Sequence, residues 1–280
     1  MSGSVFKHEA MATYFEITID GRDEAYARQA AGAAFRELDR LEGELSRFVE
    51  SSDISRANRL ALGESAVIGD DALECLLLAA AVAHETGRAF DPAYDSERGP
   101  ECPGEAPVFT LDPAEHVITS RARRLHLDLG AVGKGYALDR LAEVLSDWEV
   151  ESACLNSGGS TALALAPPPS RAGWPIGLGE GDARRELLLS GSALSGSGTA
   201  VKGAHLIDPR TRRPADRTSR AWASSPSAAV ADALSTAFFV MADAEVAAFC
   251  AAHPDVGAAL VRSDGSLELL GALRAPGSAR

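Results

Sequence analysis

The sequence predicts an α+β fold, and three observations carry that reading. Strand-like and helix-like segments come in blocks rather than in strict βαβ alternation. Long stretches repeat apolar residues at the three- and four-residue steps of amphipathic helices, and short alternating runs are bounded by Gly, Pro and Ser turns. With 280 residues and 46% hydrophobic content, the chain can bury a sizeable core, either as one large domain or as two intimately packed lobes. No internal repeat or clear linker divides it, so a single domain over residues 1–280 is expected.

Phe15 to Ile19 alternates apolar and polar positions, as a half-buried strand does, and Asp20-Gly21 closes it. Ala31, Ala34, Phe35, Leu38, Leu41, Leu45 and Phe48 then share one face of a long helix, with Arg36, Glu37, Asp39, Arg40 and Glu44 facing water. On that pattern Phe48 is core, and Met11-Ala12-Thr13 leads the first strand. A second helix is predicted from Asp71 to Glu85, with Asp70 or Asp71 as N-cap and Gly87 supplying the left-handed residue that ends it. Glu97 to Pro107, rich in proline and glycine, reads as an exposed loop. Val108 to Leu111, Val117 to Thr119 and Leu125 to Leu129 read as strands, and a helix starts near Gly133-Lys134. Short strands follow around Ala153–Leu155, Leu163–Leu165, Ile176–Leu178 and Leu187–Leu189. Ser192 to Gly203 reads as a flexible run. Helices return over Ser227–Met241 and Ala244–Ala252, and a last hairpin turns at Asp264-Gly265.

A net charge of −13 and a pI near 4.9 repel polyanions, so nucleic acid is not an expected partner. Cys75, Cys102, Cys154 and Cys250 are scattered, with neither a CxxC pair nor a Cys/His cluster, which argues against zinc and against a disulfide framework. The first ten residues contain no apolar signal-peptide core, and the longest apolar stretch, Cys75 to Ala83, is about half of what a bilayer requires. A cytoplasmic protein without a transmembrane segment is the expectation.

The most informative stretch is Leu127-Asp-Leu-Gly-Ala-Val-Gly-Lys-Gly-Tyr-Ala-Leu-Asp139, a strand running through a glycine-rich turn into a helix. Such a turn offers backbone N–H groups and a positive helix end to an anion, and Lys134 adds a full charge. It is not a Walker loop, which needs Gly where Asp128 stands and Ser or Thr where Gly135 stands. Asp232, Ser235 and Thr236 occupy one helix, where residues four apart share a face. Their hard oxygens suit magnesium, although an Asp near a helix start and a Thr bonding its own backbone explain the pattern without metal. His205, after the Ser192 to Gly203 run, is a candidate for proton transfer or a structural histidine. Phe90-Asp91-Pro92 is a turn after a helix, since proline removes the preceding residue from helical geometry.

The order and types of six blocks together resemble the ApbE family of FAD:protein FMN transferases. The blocks are Met11 to Thr13; Leu45 to Phe48 with Ser52 to Asn58; Phe90 to Pro92; Asp128 to Asp139; His205 to Thr211; and Ala231 to Thr236. The resemblance implies an ApbE-like, T-fold-related architecture of antiparallel-rich sheets packed with helices. It implies Mg²⁺-dependent transfer of FMN from FAD to a Thr or Ser of an acceptor protein, releasing AMP; with water as acceptor, the same site becomes an FAD pyrophosphatase. Met11 and Phe48 would flank the flavin, Ala89, Phe90, Asp91, Asp128 and Lys134 would line the nucleotide, and Leu206 would touch FAD. Magnesium would fall to the carbonyl of Ala131 and to Asp232, Ser235 and Thr236, with His205 as base and Lys134 stabilising transition-state charge. Four positions depart from the family pattern: Ala12 and Arg212 replace usual glycines, Phe48 a common tyrosine and Ser160 a frequent aspartate. The stretch between Asp91 and Leu127 is also shortened.

Overall fold

The computed structural model describes residues 3–99, 106–178, 185–198, 207–215, 218–262 and 265–274. The first half runs β1 (Ser4–Ala10), β2 (Thr13–Ile19), α1 (Glu24–Leu45), α2 (Asp53–Ala57), β3 (Ser65–Val67), α3 (Asp70–Glu85), β4 (Glu97–Arg98), β5 (Phe109–Asp112), β6 (Val117–Ser120), β7 (Ala122–Arg124) and α4 (Gly133–Asp147). The second half runs β8 (Ala153–Ser157), β9 (Thr161–Ala164), β10 (Trp174–Leu178), β11 (Arg185–Leu189), β12 (Ser192–Gly198), β13 (Ile207–Asp208), β14 (Arg213–Pro214), β15 (Thr218–Ser225), α5 (Ala228–Val240), α6 (Asp243–Ala252), β16 (Gly257–Arg262) and β17 (Leu267–Gly271).

An eight-stranded antiparallel sheet, ordered β1-β2-β8-β9-β12-β15-β16-β17, forms the frame. The two-residue side-chain period splits its faces. Leu155, Leu163, Ala193, Ala223 and Leu260 enter the main core with the helices, whereas Cys154, Ala164, Leu194 and Ala259 meet Trp174, Leu178 and Leu189 of the β10–β11 hairpin in a smaller cluster. The α+β, antiparallel-rich prediction therefore holds. Eleven of the thirteen residues of α5 are buried, as its sequence AAVADALSTAFFV demands, so its carboxylate is carried into the interior.

Helix α4 crosses α5 at very close range. A Cβ on Gly135 would lie 2.2 Å from the Ala228 carbonyl oxygen, so only glycine permits the approach. Asp139 of α4 fixes the pair: its carboxylate accepts from Ser227 Oγ at 2.7 Å and from the backbone N–H groups of Ala228 (2.8 Å) and Ala229 (3.0 Å), capping α5 from outside. Burial pushes the Asp139 carboxyl above its ordinary range, and those hydrogen bonds only partly offset it.

Several expectations change. Helix α1 stops at Leu45, and Phe48 is 78% exposed in the following turn, because the chain leaves the helix at Ser46 before the apolar stripe reaches it. Met11 and Ala12 do not lead the first strand. They form the two-residue turn between β1 and β2, both with positive φ, since β1, an edge strand with one face in water, precedes them. Leu125–Leu129 is held by side chains rather than by a strand ladder: Asn58 accepts from Leu127 N at 2.6 Å and donates to Leu127 O at 3.0 Å. The N-cap of α3 is Gly69, one residue ahead of the acidic pair. Residues 192–198 of the run read as flexible are a strand inside the sheet, and a short strand, β4, interrupts the loop after Ser96.

Candidate active site

The glycine-rich turn and α5 meet at Asp232, which is 5% exposed. Its Oδ2 accepts from the Gly135 N–H at 3.2 Å and lies 3.5 Å from Lys134 Nζ. Its Oδ1 accepts from Thr161 Oγ1 at 3.3 Å and Ser195 Oγ at 3.1 Å. Lys134 Nζ donates to Gly130 O at 2.6 Å, so one ammonium ties the turn beside the half-buried Ala131 to the helix carboxylate. Ser235 Oγ donates to the Asp232 carbonyl at 2.8 Å and pairs with Ser197 Oγ at 2.8 Å. Ser197 Oγ also lies 3.2 Å from Thr236 Oγ1.

The donors gathered here are hard oxygens: one carboxylate, several hydroxyls and nearby carbonyls. That chemistry fits magnesium rather than zinc, and among the described residues no three His, Cys, Asp or Glu side chains are placed so that they could hold a metal ion. Ser157, directly opposite Thr161 in the β8–β9 ladder, is fully buried, and its hydroxyl has no hydrogen-bond partner among the described residues. A spare hydroxyl beside this cluster is compatible with an oxygen-coordinated ion or its water.

A second group lies on the other side of the turn. Arg47 Nε is 3.2 Å from Asp128 Oδ2, and its guanidinium sits 4.3 Å from the centroid of the exposed Phe48 ring. Asp128 Oδ1 accepts from Gly130 N at 2.8 Å, and Asp128 N donates to Pro92 O at 2.8 Å, which joins the Phe90-Asp91-Pro92 turn to the glycine-rich turn. Asp91 accepts from Ala93 N at 2.9 Å and pairs with Arg88. Ala89 and Phe90 have their side chains in the core. Met11 is partly buried, and its N–H donates to Glu42 at 2.8 Å. His205 and Leu206 lie outside the described residues.

Sequence reasoning missed Thr161, Ser195 and Ser197. The signal was present in Ser195-Gly-Ser197, whose spacing of two puts both hydroxyls on one face of a strand. Cys75, behind the site, is not a nucleophile: burial, with the carboxylates of Asp232 and Asp71, pushes its thiol far up. Burial likewise pushes Cys154 up to about 12 and Cys250 to about 11.

The fold has close counterparts. A variant of the flavin transferase ApbE from Vibrio cholerae matches with a TM-score of 0.83 at 18% identity, covering 96% of this chain and 98% of that one. The ApbE protein from Thermotoga maritima matches at 0.79 and 23% identity, covering 96% and 97%. Among sequences, an FAD:protein FMN transferase of Klebsiella pneumoniae (strain 342) is 30% identical over 105 residues, 33% of this chain and 31% of that protein. One from Rhodobacter capsulatus is 28% identical over 268 residues, 81% of this chain. The chain thus spans about a third and a half (49%) of the length of these two relatives. The profile of the ApbE family matches residues 11–98 and 104–260, taking in the turn, Lys134 and Asp232 alike, and by that match the chain belongs to the ApbE family.

Proposed function

We propose that this chain transfers the FMN half of FAD to a Thr or Ser hydroxyl of an acceptor protein and releases AMP. The convergence of Lys134, the Gly130 carbonyl and Asp232 in one place is the observation that carries the reading, because it gathers oxygen ligands and a cation where a pyrophosphate can dock. The family membership and the names of the relatives support it.

In this reading Mg²⁺ would be held by the Ala131 carbonyl, Asp232, Ser235 and Thr236, and when bound it would neutralise pyrophosphate charge. Lys134, at the N-terminus of α4, stabilises charge developing on the phosphoryl oxygens. The acceptor hydroxyl attacks the phosphorus on the FMN side; a new P–O bond forms, the pyrophosphate bond breaks, and AMP leaves with the bridging oxygen. His205 takes the hydroxyl proton, and Leu206 contacts FAD. Phe48 and Met11 flank the isoalloxazine, while Ala89, Phe90, Asp91 and Asp128 line the nucleotide, the first two through backbone since their side chains are buried. Among the described residues no helix is long and apolar enough to cross a membrane, and the cytoplasm is the proposed compartment.

The test is AMP release from FAD and Mg²⁺ with and without an acceptor flavoprotein. Acceptor-dependent AMP with covalent flavin on the acceptor is the expected result. AMP without acceptor would make the enzyme a pyrophosphatase, and FAD retained intact would make it a binder.

A further inference from the structure

We propose that Lys134 is a built-in stand-in for the divalent cation: its ammonium fills the gap between the glycine-rich turn and Asp232, and a metal must displace it to bind. The inference rests on the metal assignment above and adds a competition that the assignment alone does not contain.

The argument starts from the two oxygens of Asp232. Oδ1 is taken by the hydroxyls of Thr161 and Ser195, which are themselves 2.8 Å apart. The carboxylate therefore cannot rotate freely without breaking an interlocked buried set. Oδ2 is the side left for a cation, and it faces the Gly135 N–H and Lys134 Nζ. A carboxylate 5% exposed needs a positive partner, because an unpaired buried charge is strongly unfavourable. Lys134 is the only cationic side chain within ion-pair distance of it among the described residues.

The same ammonium makes its short contact, 2.6 Å, with the carbonyl of Gly130, the residue before Ala131. Lys134 thus already bridges a carbonyl of the turn, one residue before the Ala131 carbonyl assigned to the metal, and Oδ2 of Asp232, which is itself assigned to the metal. Two cations cannot share Oδ2 without strong repulsion. The lysine stem is long and flexible, and 21% of the side chain is exposed, so the ammonium has a route outward when a metal enters. Exchange would release the Lys134 charge for a polyphosphate as the metal is seated.

Calorimetric titration with Mg²⁺ alone, without FAD, tests this on the full chain. An occupied site weakens apparent affinity by the fraction of molecules in which it is free. Lys134→Met should therefore bind Mg²⁺ about tenfold more tightly than the parent, and Lys134→Arg, which keeps the charge, should not. In EDTA, Lys134→Met should melt below the parent, and Mg²⁺ should raise its Tm by more than it raises the parent's. Lys134→Gln replaces Lys134→Met if the latter fails to fold. Affinity in the neutral variant equal to or below that of the parent, or an equal gain in Lys134→Arg, overturns the exchange. Asp232→Asn separates the two levels: if it abolishes Mg²⁺ binding while Lys134→Met changes nothing, only the exchange falls. If Asp232→Asn binds Mg²⁺ as the parent does, the metal assignment falls with it.

Discussion

At Ala12 the backbone adopts φ +57, and Met11 before it φ +51, so both central residues of the β1–β2 turn sit in the left-handed region. A two-residue hairpin turn with both φ positive favours Asn or Gly, because an L side chain there crowds its own carbonyl by about 1–2 kcal/mol. Glycine removes that strain but loses more entropy on folding, about 0.5–1 kcal/mol. Ala12→Gly should therefore raise stability by a net of about 0.5–1 kcal/mol, seen as a higher urea midpoint with unchanged m; a lower midpoint would refute the strain. Its neighbour Met11 is held separately, by its N–H to Glu42. The left-handed requirement is legible in the sequence only through the family's usual glycine, since no propensity rule applied to Met-Ala-Thr predicts a turn. Phe48 misleads for the opposite reason: its spacing continues the helical stripe, and nothing local announces that the chain leaves the helix at Ser46.

Among the elements, the helices are legible because each carries its own period, and α3, α4, α5 and α6 fall within a residue or two of expectation. Strands β12 and β15 are not, because their identity depends on distant partners. Ser195, Gly196 and Ser197 are small because α5 packs on one face and the Trp222 ring on the other, where a Cβ on Gly196 would meet Trp222 Nε1 at 2.5 Å. Read locally, the same composition is a flexible loop. The α4–α5 crossing shows the same dependence from the functional side, as Gly135 spaces the two helices that carry Lys134 and Asp232. Gly135→Ala drives a Cβ into backbone rather than a yielding side chain, so a loss of about 3 kcal/mol or more is expected, with Mg²⁺ binding impaired alongside. Gly43, exposed in the last turn of α1 with nothing within 4 Å of where an alanine Cβ would sit, is the internal control. Gly43→Ala should gain up to about 0.5 kcal/mol from helix propensity alone, the low end because the position lies in the last turn. Thermal or urea melts of the pair giving equal effects would remove the crossing argument.

Over the whole molecule, the sheet supplies the hydroxyls, α5 the carboxylate and α4 the lysine, and a charged network behind them sets how the helices sit. Asp71 of α3 accepts from Arg40 of α1 at 2.6 Å and from the Tyr136 hydroxyl of α4 at 2.7 Å, with Arg140 3.2 Å away; the same hydroxyl lies 2.9 Å from a Glu74 carboxylate oxygen. Burial raises the Asp71 carboxyl, yet the hydrogen bonds from Arg40 and Tyr136 outweigh it and leave the group below its ordinary range. The hydrogen bond from Arg40 does the same for Glu37. Both carboxyls bind protons less readily in the folded chain than in the unfolded one, where they titrate near 4. Their contribution is therefore fully present above about pH 5 and is lost as pH falls below about 4 toward the depressed folded values. Asp139 works in the opposite sense, since burial raises its carboxyl; keeping it ionised opposes folding as pH rises, and its protonation in acid is tolerated. Asp71→Asn should lower stability at pH 7 by about 2 kcal/mol, toward the small end for a buried pair because Arg40 and Arg140 keep 41% and 32% of their side chains in water. The variant should also flatten the acid limb, so that the difference between parent and variant shrinks as pH falls below about 4. Urea melts between pH 3 and 8 measure both effects, and a constant offset across that range would show that Asp71 acts through packing and not through its charge.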